Sequence, residues 1–215
     1  GPDGHSLWPG FTNVPNEFIE SYFPLRIEKY ETIVDSGGAG LHRGGNGLSV
    51  AYRFLCDGEI GIHDERWLTY PWGVNGGETG MRSTKRLVRA DGSEEWLPAK
   101  IEGISVQAGD LLYFNTWGGG GWGDPYARDP QLVLDDVNRG LVSVEGAERY
   151  GVVVTGGKVG EYAVDEAATT ALREQRVAER GEDVPLFNFG GTVEEIRARC
   201  QQETHLPAPE APRFR

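Results

Sequence analysis

The chain has 215 residues, 38% of them hydrophobic and 25% charged, with a formal net charge of -12 at pH 7. That length is enough for one sizeable core. The acidic balance and the lack of any run of Lys or Arg exclude a surface built to neutralise phosphates, so neither nucleic acid nor an anionic membrane is an expected partner.

Residues 1–24 interleave Trp8, Phe11, Phe18, Tyr22 and Phe23 with Pro9, Pro15 and Pro24. Such text is expected to be extended and to wrap a partner. From Leu25 the pattern alternates apolar and polar, predicting strands over 25–33 and 48–55. Further strands are expected at 59–63, 86–89, 95–98, 104–106 and 111–114. The turns at Cys56–Gly58 and Ala90–Ser93 are read as hairpins, and Gln107–Asp110 as a third tight turn. Asp129 with Pro130 predicts a helix start that Gly140 closes. Ser143 can open a second short helix toward Tyr150, and residues 151–154 read as a brief strand. A long helix is expected from about Val164 to Arg180, stopped by Gly181. Thr192 with Glu195 is a capping box opening a last helix to about Gln202, before a Pro-rich extended arm from Leu206. The expected fold is mainly β, an antiparallel sandwich or barrel-like core with a carboxy-terminal helical appendage, α+β overall. Its organisation would be an interface segment over 1–24, a β-rich core over 25–160, and a helical appendage and arm over 161–215.

Twenty of the 32 glycines fall between Gly37 and Gly123, fourteen of them in runs at 35–40 (DSGGAG), 43–47 (RGGNG), 71–77 (PWGVNGG) and 116–125 (TWGGGGWGDP). A glycine costs roughly 0.5–1 kcal/mol inside a regular element, so such runs mark turns or places where backbone must approach something closely. The loop with Thr116, Gly118, Gly119, Gly120 and Gly121 can aim several N–H groups at one anion, or can be a corner that packs Trp117 and Trp122 while Asp124 caps a turn. No Walker-type Lys-Ser/Thr follows it. Asp35 and Arg43 on neighbouring turns could orient a polar substrate, or Asp35 caps its own turn and pairs with Arg43. His63 brings an imidazole beside Asp64, Glu65 and Arg66, suited to acid–base work or to an interface. A triad of His63, Asp35 and Ser36 lacks any nucleophile-elbow motif. No histidine spacing suits a metal. Cys56 reads as core; Cys200, on an acidic helix, is unsuited to nucleophilic work; the two form no CxxC pair. No apolar run of about 18 residues appears, and the opening residues lack a signal-peptide layout, so a cytoplasmic protein is expected.

Together with Tyr30-Glu31, Leu97–Lys100, Ala108–Asp110, Arg128–Pro130, Asp136-Val137, Gly140–Ser143 and Tyr150–Val153, these runs resemble the carboxy-terminal part of the hydantoinase B/oxoprolinase family, in consistent order over about residues 10–155. The resemblance implies work beside a hydantoinase A-type partner that handles ATP, either opening cyclic amides such as hydantoins, lactams and 5-oxoproline or carboxylating ketones. Family members are more than twice as long. Their amino-terminal half carries a metal-associated His and Asp region with no counterpart here, so no family metal ligand transfers to this chain. ATP with Mg, and a divalent metal such as Zn or Mn, are expected elsewhere in a hetero-oligomer that includes the remaining amino-terminal part of the B-type subunit. A non-catalytic assembly subunit and an independent ligand-binding β-domain are the competing expectations.

Overall fold

The computed structural model describes residues 1–3, 14–181 and 184–210. After α1 (Asn16–Tyr22), the chain forms β1 (Leu25–Thr32), β2 (Leu48–Phe54), β3 (Gly58–His63), β4 (Gly73–Val74), β5 (Thr84–Val88), β6 (Glu94–Leu97), β7 (Lys100–Val106) and β8 (Leu111–Asn115). Helical text follows: α2 (Pro130–Asn138), a 3-10 turn (Gly146–Tyr150), the short pair β9 (Val154–Thr155) and β10 (Ala163–Val164), then α3 (Glu166–Arg180), β11 (Phe187–Asn188) and α4 (Val193–Thr204).

Five strands form one antiparallel sheet in the order β1-β2-β8-β5-β6, while β3 pairs with β7, β4 with β11 and β9 with β10. Alternation sends Leu87 of β5 and Leu112 of β8 inward, where they meet Ile62, Leu97, Ile104 and Val106 in one buried cluster. Burying side chains of this kind is worth roughly 1.5–3 kcal/mol each. A second cluster joins Val133 and Val137 of α2 to Val142, Ala147, Tyr150 and Val152. It also takes Ala39, fully buried in the first glycine loop.

Gln107–Asp110 is a tight turn, with Asp110 N–H donating to Gln107 O at 3.1 Å, but one of the two expected hairpins does not form. Only Ala90–Ser93 reverses between paired neighbours, with Arg89 N–H donating to Ser93 O at 2.8 Å and Gly92 at φ 86°. The turns at 56–58 and 107–110 lie side by side: Phe54 N–H donates to Asp110 O (2.9 Å) and Gly109 N–H to Phe54 O (2.8 Å). The ribbon β2/β8 thus bends at this double corner and continues as β3/β7. An Asp-Gly pair specifies a local reversal, but which strands pair is decided by where the inward residues find a core. Cys56 sits on that corner and is exposed, not core.

The front segment is also not fully extended. Residues 16–22 coil into α1, which buries no residue and stacks Phe18 on Tyr22 at 4.2 Å; Trp8, Pro9 and Phe11 lie outside the described residues. The helix signals hold more closely. Asp129 caps α2 through Gln131 N–H (2.9 Å), and Asp165 caps α3 through Ala168 N–H (2.9 Å), one residue after Val164. The Thr192–Glu195 capping box opens α4, which runs on to Thr204.

Candidate functional site

The glycine loops form a lattice of backbones. Gly38 N–H donates to Gly119 O (2.8 Å), Gly119 N–H to Gly45 O (2.7 Å), Gly121 N–H to Glu78 O (2.9 Å) and Glu78 N–H to Ala39 O (2.7 Å). Three loops far apart in sequence are therefore laced together without side chains between them. A Cβ on Gly120 would overlap the carbonyl of Trp72, one on Gly118 that of Ser36, and one on Gly121 that of Ala39. Most of these glycines keep ordinary φ; in these loops only Gly76 and Gly123 are left-handed. Close approach, not conformational freedom, is what excludes larger residues here.

Among the described residues the lattice takes up three of the four glycine N–H groups of the candidate anion loop, Gly120 being the exception. The N–H groups of Gly118, Gly119 and Gly121 go to the carbonyls of Met81, Gly45 and Glu78, and Thr116 Oγ1 accepts from Leu48 N–H at 2.8 Å. Asp35, left-handed at φ 61°, accepts from Ser143 N–H at 3.0 Å. Its carboxylate thus anchors the 3-10 turn to the first glycine loop and does not pair with Arg43.

Arg43 is buried and makes a two-point contact with Asp3 (2.8 and 3.1 Å) and a longer one with Asp136 (3.3 Å), which Arg128 also holds at 2.9 Å. Burial works against the charge on Asp3, but Arg43 outweighs it and keeps that carboxyl below the usual carboxylate range. His63 is exposed against Glu102, and Ser36 Oγ donates to Ile33 O at 2.6 Å, so the paper triad is not assembled. Asp124 accepts from Tyr126 N–H (2.9 Å) and grips Arg180 of α3 in two-point fashion (2.9 and 2.8 Å). That guanidinium holds the Asp124 carboxyl below its ordinary range.

The structure adds charged groups that the sequence reading missed. Lys85 lies beside Leu87 in the inward phase of β5, fully buried, against Asp64 and 2.9 Å from Ser83 Oγ. Burial pulls its ammonium down to about 7. A Lys in phase with core leucines was the available signal. Beside Asp64 a cavity of about 310 Å³ is lined by residues 64–69, 98–100 and Pro209. Arg149 bonds Glu78 (2.9 Å) and the carbonyls of Asp35 and Gly37 (2.9 and 3.2 Å), closing the lattice from the helical side. Among the described residues no three His, Cys, Asp or Glu side chains converge as a metal site requires, so these residues do not fit a metal centre. No described helix is long and apolar enough to cross a membrane.

A β-rich module with an antiparallel core, laced by glycine loops and buttressed by helices, is the class of protein that this geometry defines. Residues 1–125 match the model of the hydantoinase B/oxoprolinase family, and the chain belongs to that family. An uncharacterised protein of Methanocaldococcus jannaschii is 38% identical over 161 residues, covering 75% of this chain and 28% of its own length. The caprolactamase subunit beta of Pseudomonas jessenii is 37% identical over 164 residues, covering 73% of this chain and 27% of its own. The solved ATP-dependent caprolactamase from that organism superposes with a TM-score of 0.59 over 74% of this chain at 33% identity. A nucleotide-free structure of acetone carboxylase superposes with a TM-score of 0.66 over 82% of this chain at 25% identity. In both structures the match spans 28% of the longer chain. The chain is therefore similar to under a third of the relatives it matches.

Proposed function

We propose that this chain is the scaffold portion of a B-type subunit in an ATP-dependent enzyme acting on a carbonyl compound, by cyclic-amide hydrolysis or ketone carboxylation. Family membership carries this reading: relatives named for hydantoin, caprolactam and acetone chemistry share its module. The chain shapes and closes the active site, a hydantoinase A-type partner handles ATP with Mg, and any divalent metal belongs to the remaining amino-terminal part of the B-type subunit. The setting is a cytoplasmic hetero-oligomer.

Catalysis of this kind needs groups held in one geometry while the rest of the machine moves, and preorganisation supplies much of the rate. The lattice provides such rigidity by joining three loops through backbone hydrogen bonds, each worth about 0.5–1.5 kcal/mol net. The purified chain with ATP and hydantoin, caprolactam, 5-oxoproline or acetone should give no turnover. Adding the A-type subunit and the remainder of a B-type chain should give ATP-dependent turnover. Robust turnover by the chain alone would refute the reading.

A second reading, an assembly subunit with no residue near the chemistry, is favoured by one observation: Asp35, Arg43 and Asp124 all spend their charges inside the framework. Asp124→Asn in the reconstituted complex separates the two. Lost turnover with assembly intact supports the first reading; unchanged kinetics supports the assembly subunit.

A further inference from the structure

We propose that one aromatic face of the glycine lattice is the surface on which the rest of a B-type chain docks; this rests on the reading that the module works beside such a portion. The face follows from strand register. Phe187 of β11 lies opposite Val74 of β4, Val74 is bridged to Trp122, and Trp122 to His42. Residues directly opposite each other on neighbouring strands project to the same side, and residues two apart along a strand return to it. Phe187, Val74, Trp122 and His42 therefore share a face, and Phe189 and Trp72 join them.

Ring positions agree with that register. Phe187 and Phe189 lie 6.0 Å apart, Trp72 and Phe189 6.0 Å, and His42 and Trp122 5.4 Å. The guanidinium of Arg66 sits 4.4 Å above Trp72. All four large rings are open to solvent: Trp72 is 40% exposed, Trp122 45%, Phe187 48% and Phe189 54%. Beneath them the floor is Gly73, Gly77, Gly120 and Gly121, locked against the carbonyls of Gly77, Gly121, Trp72 and Ala39 respectively, so the platform is rigid before anything binds. Trp, Phe and Arg on a preformed surface are the residues that dominate protein interfaces, and rigidity lowers the entropy lost on docking.

The occupant follows from length and charge. In both solved relatives the module is joined to further polypeptide more than twice its size, since the match covers 28% of each chain. A second copy is disfavoured because each chain carries -12, and self-association would press like charges together.

Hydroxyl-radical footprinting read by mass spectrometry tests this. Oxidation of Trp72, Trp122, Phe187 and Phe189 is compared in the chain alone, in a chimera where the chain replaces its counterpart in the Pseudomonas jessenii caprolactamase beta subunit, and in that chimera with an A-type subunit added. Oxidation of the four should fall about fivefold or more on going to the chimera, as water is excluded from an interface core. Exposed Leu132 and Val177, off this face, should not change. Equal oxidation in chain and chimera, protection only when the A-type subunit is present, or concentration-dependent protection of the chain alone each overturns the proposal. If the chimera does not fold, the same readout at the aligned positions of the natural beta subunit decides. ATP-dependent turnover by a chimera whose face stays oxidised would sink the docking surface and leave the functional reading standing.

Discussion

Replacing Gly47 by Ala puts the lattice to a quantitative test. Gly47 is buried at ordinary φ, so an alanine there meets no backbone strain; only space decides. A Cβ would lie 2.6 Å from Thr116 O, 2.7 Å from Trp117 O and 2.9 Å from Trp117 C, where 3.4 Å is ordinary contact. About 0.8 Å must be found against backbone on the far side, and no flexible side chain is there to yield. Overpacking of this kind costs about 1–3 kcal/mol. The shift also loosens Gly47 N–H from Ser36 Oγ (2.9 Å) and Leu48 N–H from Thr116 Oγ1 (2.8 Å). Together these changes should cost roughly 2–4 kcal/mol, taking about 1 kcal/mol as the worth of a bond and half its strength as lost. At roughly 2–4 °C per kcal/mol for a chain this size, the melting midpoint should fall by about 5–15 °C. The control is Gly157→Ala, whose Cβ meets nothing within 4 Å; it should be neutral or stabilising by up to about 1 kcal/mol. Thermal melts followed by circular dichroism, with urea midpoints beside them, give both values. If Gly47→Ala melts within about 2 °C of the parent chain, or Gly157→Ala falls as far, close backbone approach is not what these glycines serve.

Asp124→Asn should loosen α3 from the glycine loop and cost about 1 kcal/mol, a modest figure because the pair is about a third exposed. Since Arg180 depresses the Asp124 carboxyl, its contribution is present above the unfolded carboxylate range and lost as pH falls through the lower folded value. Urea midpoints from pH 6 down to 2 should therefore converge for parent and variant at the acid end. Lys85→Ala should cost about 3–5 kcal/mol by stranding buried Asp64 without its counter-charge, and the double variant Lys85→Met with Asp64→Leu should recover most of it. Unfolding midpoints of the single and double variants decide. Thr192→Ala removes one half of the capping box and should cost about 1 kcal/mol, seen as faster amide exchange over residues 193–196 with the β-core unchanged.

What the sequence revealed and what it hid divide along one physical line. Period-two alternation and capping signals act within a few residues, so β1, β2, α2, α3 and α4 were legible at nearly their observed limits. Pairing is not local. The turn at 56–58 looks like a hairpin because Asp-Gly favours one, yet β3 leaves β2 to pair with β7, whose inward Ile104 and Val106 need a lid. Arg43 shows the same limit at the level of one side chain. A local reading offers it Asp35, but its partners Asp3 and Asp136 stand 40 and 93 residues away. The glycine runs were legible as demanding close approach, but not as approaching one another. The aromatic face lies further along this line, because it is composed from 72–74, from 122 and from 187–189, which no local pattern joins. Its rings converge only because backbones without side chains can stack beneath them, so the feature that drew attention in the sequence is the floor, and the surface it supports is what a partner would touch.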